Sequence, residues 1–136
     1  MRKLVLLLLA IFFVAVDSFA DIASGKSGTG NNVIDWVISD DGTLTITKAT
    51  TDKNGNAITA SGNMPGYDSD ANMSPWYDFR SQIKKIVVSD GIVTIGTYSF
   101  YKCNAVTEVK FPASSLKNIN GNAFKECSAL EKTTGN

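Results

Sequence analysis

One stretch of this chain, Ile83 to Leu130, is written twice, and that repetition limits what the chain can fold into. Ile83, Ile86 and Val88 superpose on Val106, Val109 and Phe111 with a step of 23 residues. Ile92, Ile95, Phe100, Cys103 and Val106 superpose on Leu116, Ile119, Phe124, Cys127 and Leu130 with a step of 24. One inserted residue near Ser114 or Ser115 accounts for the change. Each unit opens with an apolar residue, two polar ones, then apolar–polar–apolar, which has the period of a half-buried strand. The β-branched residues in Ile83–Val88 favour the same conformation. Such a strand cannot cover its own apolar face. A second unit stacked about 4.8 Å away covers it and pairs the backbone groups.

A repeat of about 20 to 29 residues with this spacing predicts a leucine-rich-repeat solenoid, mainly β with short helical turns. Asp90-Gly91 turns the chain after the first strand, and Pro112 stops the second. Phe100 and Cys103, like Phe124 and Cys127, are three residues apart, so a single helical turn would aim both inward. Stacked copies give a Phe ladder and a Cys ladder. The expected repeat core is therefore Ile83, Ile86, Val88, Ile92, Ile95, Phe100, Cys103, Val106, Val109, Phe111, Leu116, Ile119, Phe124, Cys127 and Leu130.

Several segments together resemble the BspA-type leucine-rich repeats of bacterial surface proteins, which also occur in some protozoan parasites. They are Asp90-Gly91-Ile92-Val93-Thr94-Ile95-Gly96, Ser99-Phe100-Tyr101-Lys102-Cys103 and Ala123-Phe124-Lys125-Glu126-Cys127-Ser128-Ala129-Leu130. The lead-in segment is similar too, with Trp36 and Leu44 around an Asp-Gly turn, Met64-Pro65-Gly66-Tyr67, and Pro75-Trp76. The resemblance covers nearly all of the chain after residue 23 and is weakest over Ala49 to Ser61, which looks like an insertion. It implies a surface-exposed, non-enzymatic module. Members of the family are associated with adhesion to host matrix proteins and to other cells. The motif carries no ligand residues.

Arg2 and Lys3 precede an apolar run, Leu4 to Val16, and Ser18-Phe19-Ala20 supplies small residues for cleavage. Residues 1–20 are thus expected to be a secretory signal peptide, cut after Ala20 or alternatively Ala23. The run is shorter than the roughly 20 residues that span a bilayer, so no membrane span is expected after cleavage. No Cys follows it, which argues against a lipoprotein anchor. The chain holds 13 Lys/Arg and 13 Asp/Glu, and losing Arg2, Lys3 and Asp17 keeps it close to neutral. Without a basic stripe, binding to nucleic acid or anionic membrane lacks its driving force.

Residues 21–32 are expected to be a flexible arm, because Ser24 to Asn32 is rich in Gly, Ser and Asn. Residues 33–82 read as an N-terminal β-hairpin cap over the first repeat. Val33 to Ile38 and Leu44 to Thr47 form its strands around Ser39-Asp40-Asp41-Gly42-Thr43, and Asn54-Gly55 suits a tight primed turn. Met64 to Ser74 is turn-rich and expected on the surface. Ser74 and Pro75 suit the cap and first position of a short helix. The cap core is expected to be Trp36, Leu44, Ile46, Trp76 and Phe79, with Val33 beside it and Val37 as the alternative to Trp36 on the inner face. Residues 83–130 hold the two repeats, and 131–136 read as a polar tail with no obvious cap. Two repeats fall short of the three or so expected of an independent coil. Either the hairpin cap makes up the difference, or the chain is part of a longer product. The edge after Leu130 is expected to be open and able to pair with another copy.

No histidine is present, which excludes Ser-His-Asp and Cys-His machinery and the commonest zinc ligand. No cofactor or metal is expected. Asp68-Ser69-Asp70-Ala71-Asn72 imitates the start of a calcium loop, but Met73 and Phe79 stand where Gly and Glu are required. It is expected to be a solvated turn, and Asp40-Asp41 a turn initiator rather than a catalytic pair. Asn72-Met73-Ser74 fits the glycosylation triplet, which matters only in a eukaryotic source. Cys103 and Cys127 are open to two readings: small buried hydrophobes, or a disulfide that secretion would permit. In the resembled family these positions form a packing ladder with parallel side chains, which favours free thiols. Tyr67, Tyr77, Tyr98 and Tyr101 are candidate contact residues. Lys84, Lys85, Val87, Thr107, Glu108 and Lys110 would lie on one outer sheet face, the usual docking surface of a repeat protein.

Three function classes follow. The first is a secreted or cell-surface module that binds protein or glycan on a host or neighbouring cell. The second is a structural envelope spacer without a dedicated ligand. The third is a glycan-active hydrolase using surface Asp residues.

Overall fold

A computed structural model describes residues 20–135. Apart from Ala20, the expected leader lies outside the described residues. Among those described, no helix is long and apolar enough to cross a membrane.

Eight strands follow in chain order: β1 (Asp21–Ser27), β2 (Ile34–Ser39), β3 (Thr43–Lys48), β4 (Lys85–Val88), β5 (Thr94–Ile95), β6 (Glu108–Lys110), β7 (Asn118–Ile119) and β8 (Lys132–Thr134). A 3-10 turn, Tyr77–Phe79, precedes β4. Six strands form one sheet in the order β1-β2-β3-β4-β6-β8. The β1/β2 and β2/β3 pairs are antiparallel, and β3, β4, β6 and β8 run parallel. Leu44, Ile86, Val109 and Thr133 stand in one row across that parallel part. A second ladder pairs β5 with β7 in parallel, Thr94 to Asn118 and Ile95 to Ile119. The chain is therefore mainly β, with coils stacked in parallel as the repeat predicts.

An aromatic column runs through the interior. Trp76 stacks on Phe100 at 5.9 Å between ring centres, and Phe100 on Phe124 at 5.1 Å. Trp36 and Tyr67 meet Trp76 edge-on at 5.9 and 5.6 Å. The indole Nε1 of Trp76 donates to the Ser99 carbonyl at 2.8 Å, which settles its polar atom inside the core. Backbone bonds tie the same turns together: Phe100 N–H to the Ala123 carbonyl and Lys102 N–H to that of Lys125. Ser115, at the register change, accepts from Gly91 N–H at 2.9 Å and donates to the Ile92 carbonyl at 2.7 Å. The extra residue thus fastens two coils at the point where their spacing shifts.

Burial follows the stacking. Of the expected repeat core, Ile83, Ile86, Val88, Ile92, Ile95, Phe100, Cys103, Val106 and Val109 are buried. Phe111, Leu116, Phe124, Cys127 and Leu130 are half-buried against the same cluster. Ile119 is 49% exposed, contrary to expectation, because β7 has a neighbour on one side only. In the cap, Trp36, Leu44, Ile46, Trp76 and Val33 are buried, whereas Phe79 and Val37 are half-buried.

Five local expectations are corrected. Asp21–Ser27 is a strand rather than a loose arm, and it turns the expected hairpin into a three-stranded meander. Its polar composition hid it, yet Gly25 pairs with Trp36, and a Cβ there would come within 3.1 Å of the indole nitrogen. Lys132–Thr134 is not a tail but a parallel strand one coil beyond β6. Asn54-Gly55 does not form a primed turn: Gly55 has φ 87° while Asn54 is not left-handed, and a primed turn needs both. Ser74 makes no side-chain cap, although its carbonyl accepts from Tyr77 N–H at 3.1 Å. Tyr67, expected among exposed aromatics, is buried.

Gly62-Asn63-Met64 also behaves as part of a coil. Met64 N–H donates to the Thr94 carbonyl and Val93 N–H to that of Gly62. A Cβ on Gly62 would lie 2.1 Å from the Gly91 carbonyl oxygen, so only glycine permits this approach. Phe100→Ala should cost about 3–5 kcal/mol in urea unfolding, and Ile119→Ala no more than about 0.5 kcal/mol. Equal losses would contradict the column.

Candidate functional site

Strand alternation sorts the parallel sheet into an inner and an outer face. Ile86 and Val88 of β4 and Val109 of β6 point inward and are buried. Lys85, Val87, Glu108 and Lys110 take the other face. Strand register sets them in two rows, Thr43–Lys85–Glu108–Lys132 and Thr45–Val87–Lys110–Thr134. Lys84 and Thr107 sit exposed at the entry to β4 and β6, joined by Thr107 N–H donating to the Lys84 carbonyl at 3.0 Å. Of the six residues expected on a binding face, Lys85, Val87, Glu108 and Lys110 share the outer face of the strands, while Lys84 and Thr107 precede them. The structure adds Thr43, Thr45, Lys132 and Thr134. The period-two Thr pattern of β3 was the available signal for the first two.

Glu108 lies between two lysines, with Lys85 Nζ at 3.8 Å and Lys132 Nζ at 4.0 Å. Such open pairs contribute at most about 1 kcal/mol each. Their physical consequence is a charge pattern that can orient a partner rather than hold the fold.

The remaining acidic motifs are used by their own turns. Hydrogen bonds from Thr43 and then Ser39 hold the Asp41 carboxyl below the usual carboxylate range. The Asp68 carboxylate accepts from Asn72 N–H at 2.7 Å and Asp70 N–H at 3.0 Å, which lowers it likewise. Asp52 does the same for Asn56 and Asn54. Among the described residues, no group of three His, Cys, Asp or Glu is placed to hold a metal ion.

Cys103 is buried and Cys127 half-buried, and both are free thiols. Cys127 Sγ donates to the Phe100 carbonyl at 3.0 Å, along the stack rather than toward a disulfide. Burial pushes the Cys103 thiol from 9.0 up to about 12, with Cys127 adding to the shift. Burial pushes Cys127 up to about 11. Burial also raises the Tyr67 phenol to about 12, against a 2.7 Å hydrogen bond with Ser27.

A solenoid of short parallel strands recurring every 23 or 24 residues, with one ordered sheet face, is a leucine-rich-repeat architecture. Residues 76–135 match the family described as BspA type leucine rich repeat region (6 copies). A leucine-rich repeat protein from Eubacterium ventriosum is 34% identical over 83% of this chain, with a TM-score of 0.63. The chain spans 26% of that protein's length. A leucine rich cell surface protein from Faecalibacterium prausnitzii shares 13% identity over 84% of this chain and 43% of its own, at a TM-score of 0.38. No curated protein matches the sequence.

The thiol shifts have a sign. A thiol whose folded pKa lies above its unfolded value stabilises the fold fully below about pH 9. That contribution is lost as pH rises through the folded values of about 11 and 12. The urea midpoint should therefore fall above pH 9, and fall less in Cys103→Ala/Cys127→Ala. An identical fall in both proteins would contradict buried, protonated thiols.

Proposed function

We propose that this chain is a secreted or cell-surface leucine-rich-repeat module that binds another macromolecule, foremost a protein, on the outer face of its parallel sheet. The observation that carries the reading is the rows Lys85–Glu108–Lys132 and Val87–Lys110–Thr134, set in strand register on a rigid stack. A face whose side chains are pre-positioned loses little entropy on docking. The apolar leader at residues 4–16, with Ala20 as cleavage point, supports export. The BspA-type repeats support a role in adhesion to a host or neighbouring cell. The hydrolase reading finds no support in Asp41, Asp52 and Asp68, whose carboxylates accept hydrogen bonds from backbone N–H groups of their own turns.

Lys85→Glu/Lys110→Glu tests this reading against a panel of matrix proteins and a glycan array. It should abolish binding while leaving the unfolding midpoint within about 0.5 kcal/mol of the parent. A parent that binds nothing on either panel leaves the spacer reading in its place.

A further inference from the structure

The turns that close each coil carry a second ordered surface. Tyr77 precedes Tyr101 by one repeat step of 24 residues, and their rings stack at 6.3 Å with 24° between planes. Tyr98 meets Tyr101 edge-on at 5.3 Å. Arg80 lays its guanidinium over the Tyr77 ring at 4.0 Å, and its Nη1 donates to the Tyr77 carbonyl at 3.0 Å. Lys102 Nζ sits 5.3 Å from the Tyr101 ring centre. All five side chains are half-buried, so each keeps part of its surface in water.

Two observations set this cluster apart from ordinary packing. The first is that a bulky side chain, Tyr98, occupies a turn position that the repeat holds left-handed in both coils. Tyr98 and Lys102 are left-handed, with φ 53° and 57°, as are their counterparts one coil on, Asn122 and Glu126, at 59° and 61°. Asn tolerates that region, whereas a bulky Tyr is strained there. Strain of this kind persists where surrounding contacts hold it, and it concentrates at functional positions. The second is charge. Among the described residues, the ion pairs join Lys26 to Asp35, and Lys85 and Lys132 to Glu108. Among the described residues, no carboxylate oxygen lies within 4.0 Å of Arg80 or Lys102. Both cations are held over ring faces and left without an anion.

The chemistry selects the partner. Tyr77 and Tyr101 turn ring faces toward each other and toward Arg80 and Lys102. The surface therefore offers tyrosine rings that are engaged with one another and two cations held against them. A sulfated glycan would call for a longer cationic run in a chain whose charges balance at 13 and 13. Tyr and Arg are the side chains most enriched at the energetic centres of protein interfaces. We propose that Tyr77, Tyr98 and Tyr101 with Arg80 and Lys102 form a second docking surface that takes an acidic segment of a partner protein, independently of the sheet face.

The test is to pan a random-peptide phage library on the full chain. Recovered peptides are then titrated by fluorescence anisotropy against the parent, Arg80→Gln, Tyr101→Ala and the sheet-face variant Lys85→Glu/Lys110→Glu. Peptides rich in Asp and Glu are expected. Their affinity should fall about tenfold or more in Arg80→Gln and Tyr101→Ala, and weaken with added salt. It should persist in the sheet-face variant, so failure of the sheet reading is seen separately. Arg80→Gln keeps the stacked tyrosines, so the test stands even if Tyr101→Ala fails to fold. Recovery of no acidic peptide, equal affinity in the parent and Arg80→Gln, or loss in the sheet-face variant alone would overturn the proposal. So would heparin retention that Arg80→Gln abolishes in the absence of acidic peptides, which would put a sulfated glycan in the protein's place.

Discussion

Phe100 lies between Trp76 and Phe124, with ring centres 5.9 and 5.1 Å away, and the coils depend on that column. A coil of this length encloses too few side chains to bury its own apolar face, so neighbouring coils must cover it. Two backbone ladders run beside the column. One is the parallel sheet through Leu44, Ile86, Val109 and Thr133. The other joins Phe100 N–H to Ala123 and Lys102 N–H to Lys125. Slipping one coil by a residue would break both ladders and turn the ring out of the column. Apolar packing and hydrogen bonding therefore specify the same register.

The cap works as a coil that the chain builds by other means. β3 supplies its sheet strand, Gly62-Asn63-Met64 stands opposite β5, and Trp76 takes the Phe position. From there the core thins along the stack. Ile95 is fully buried and its counterpart Ile119 is half exposed, and the same step separates Cys103 from Cys127. Both candidate surfaces lie chiefly on the well-buried coils. Apart from Lys132 and Thr134 on the edge strand β8, the sheet-face side chains are carried by strands with a neighbour on each side, which suits recognition by pre-positioned groups.

The repeat core was legible because its apolar residues recur in register, and one period is enough to define a stack. The sheet face was legible for the same reason, since alternation fixes what points outward once the inner set is known. The rest was hidden by composition or by distance in sequence. β1 is polar and Gly-rich, and it forms because its backbone pairs with β2 while Gly25 leaves room for Trp36. Lys132–Thr134 has no apolar residue, and its place follows only from standing one coil after Glu108–Lys110. Trp76 and Phe79 precede Phe100 and Cys103 by the same 24 residues, so the repeat already carried a signal that Trp76 belongs to the column and that Phe79 packs in the place of the thiols. The Tyr77–Tyr101 stack shares that spacing, but its partners Arg80 and Lys102 could be placed only by the fold.

The most direct measurement of the stacked column is a nuclear Overhauser spectrum of protein with selectively labelled Trp and Phe rings. Stacking predicts strong cross-peaks from Phe100 to both Trp76 and Phe124, with Trp76 also reaching Trp36. A Phe100 ring that shows cross-peaks to neither Trp76 nor Phe124 would contradict the stack and the two surfaces built on it.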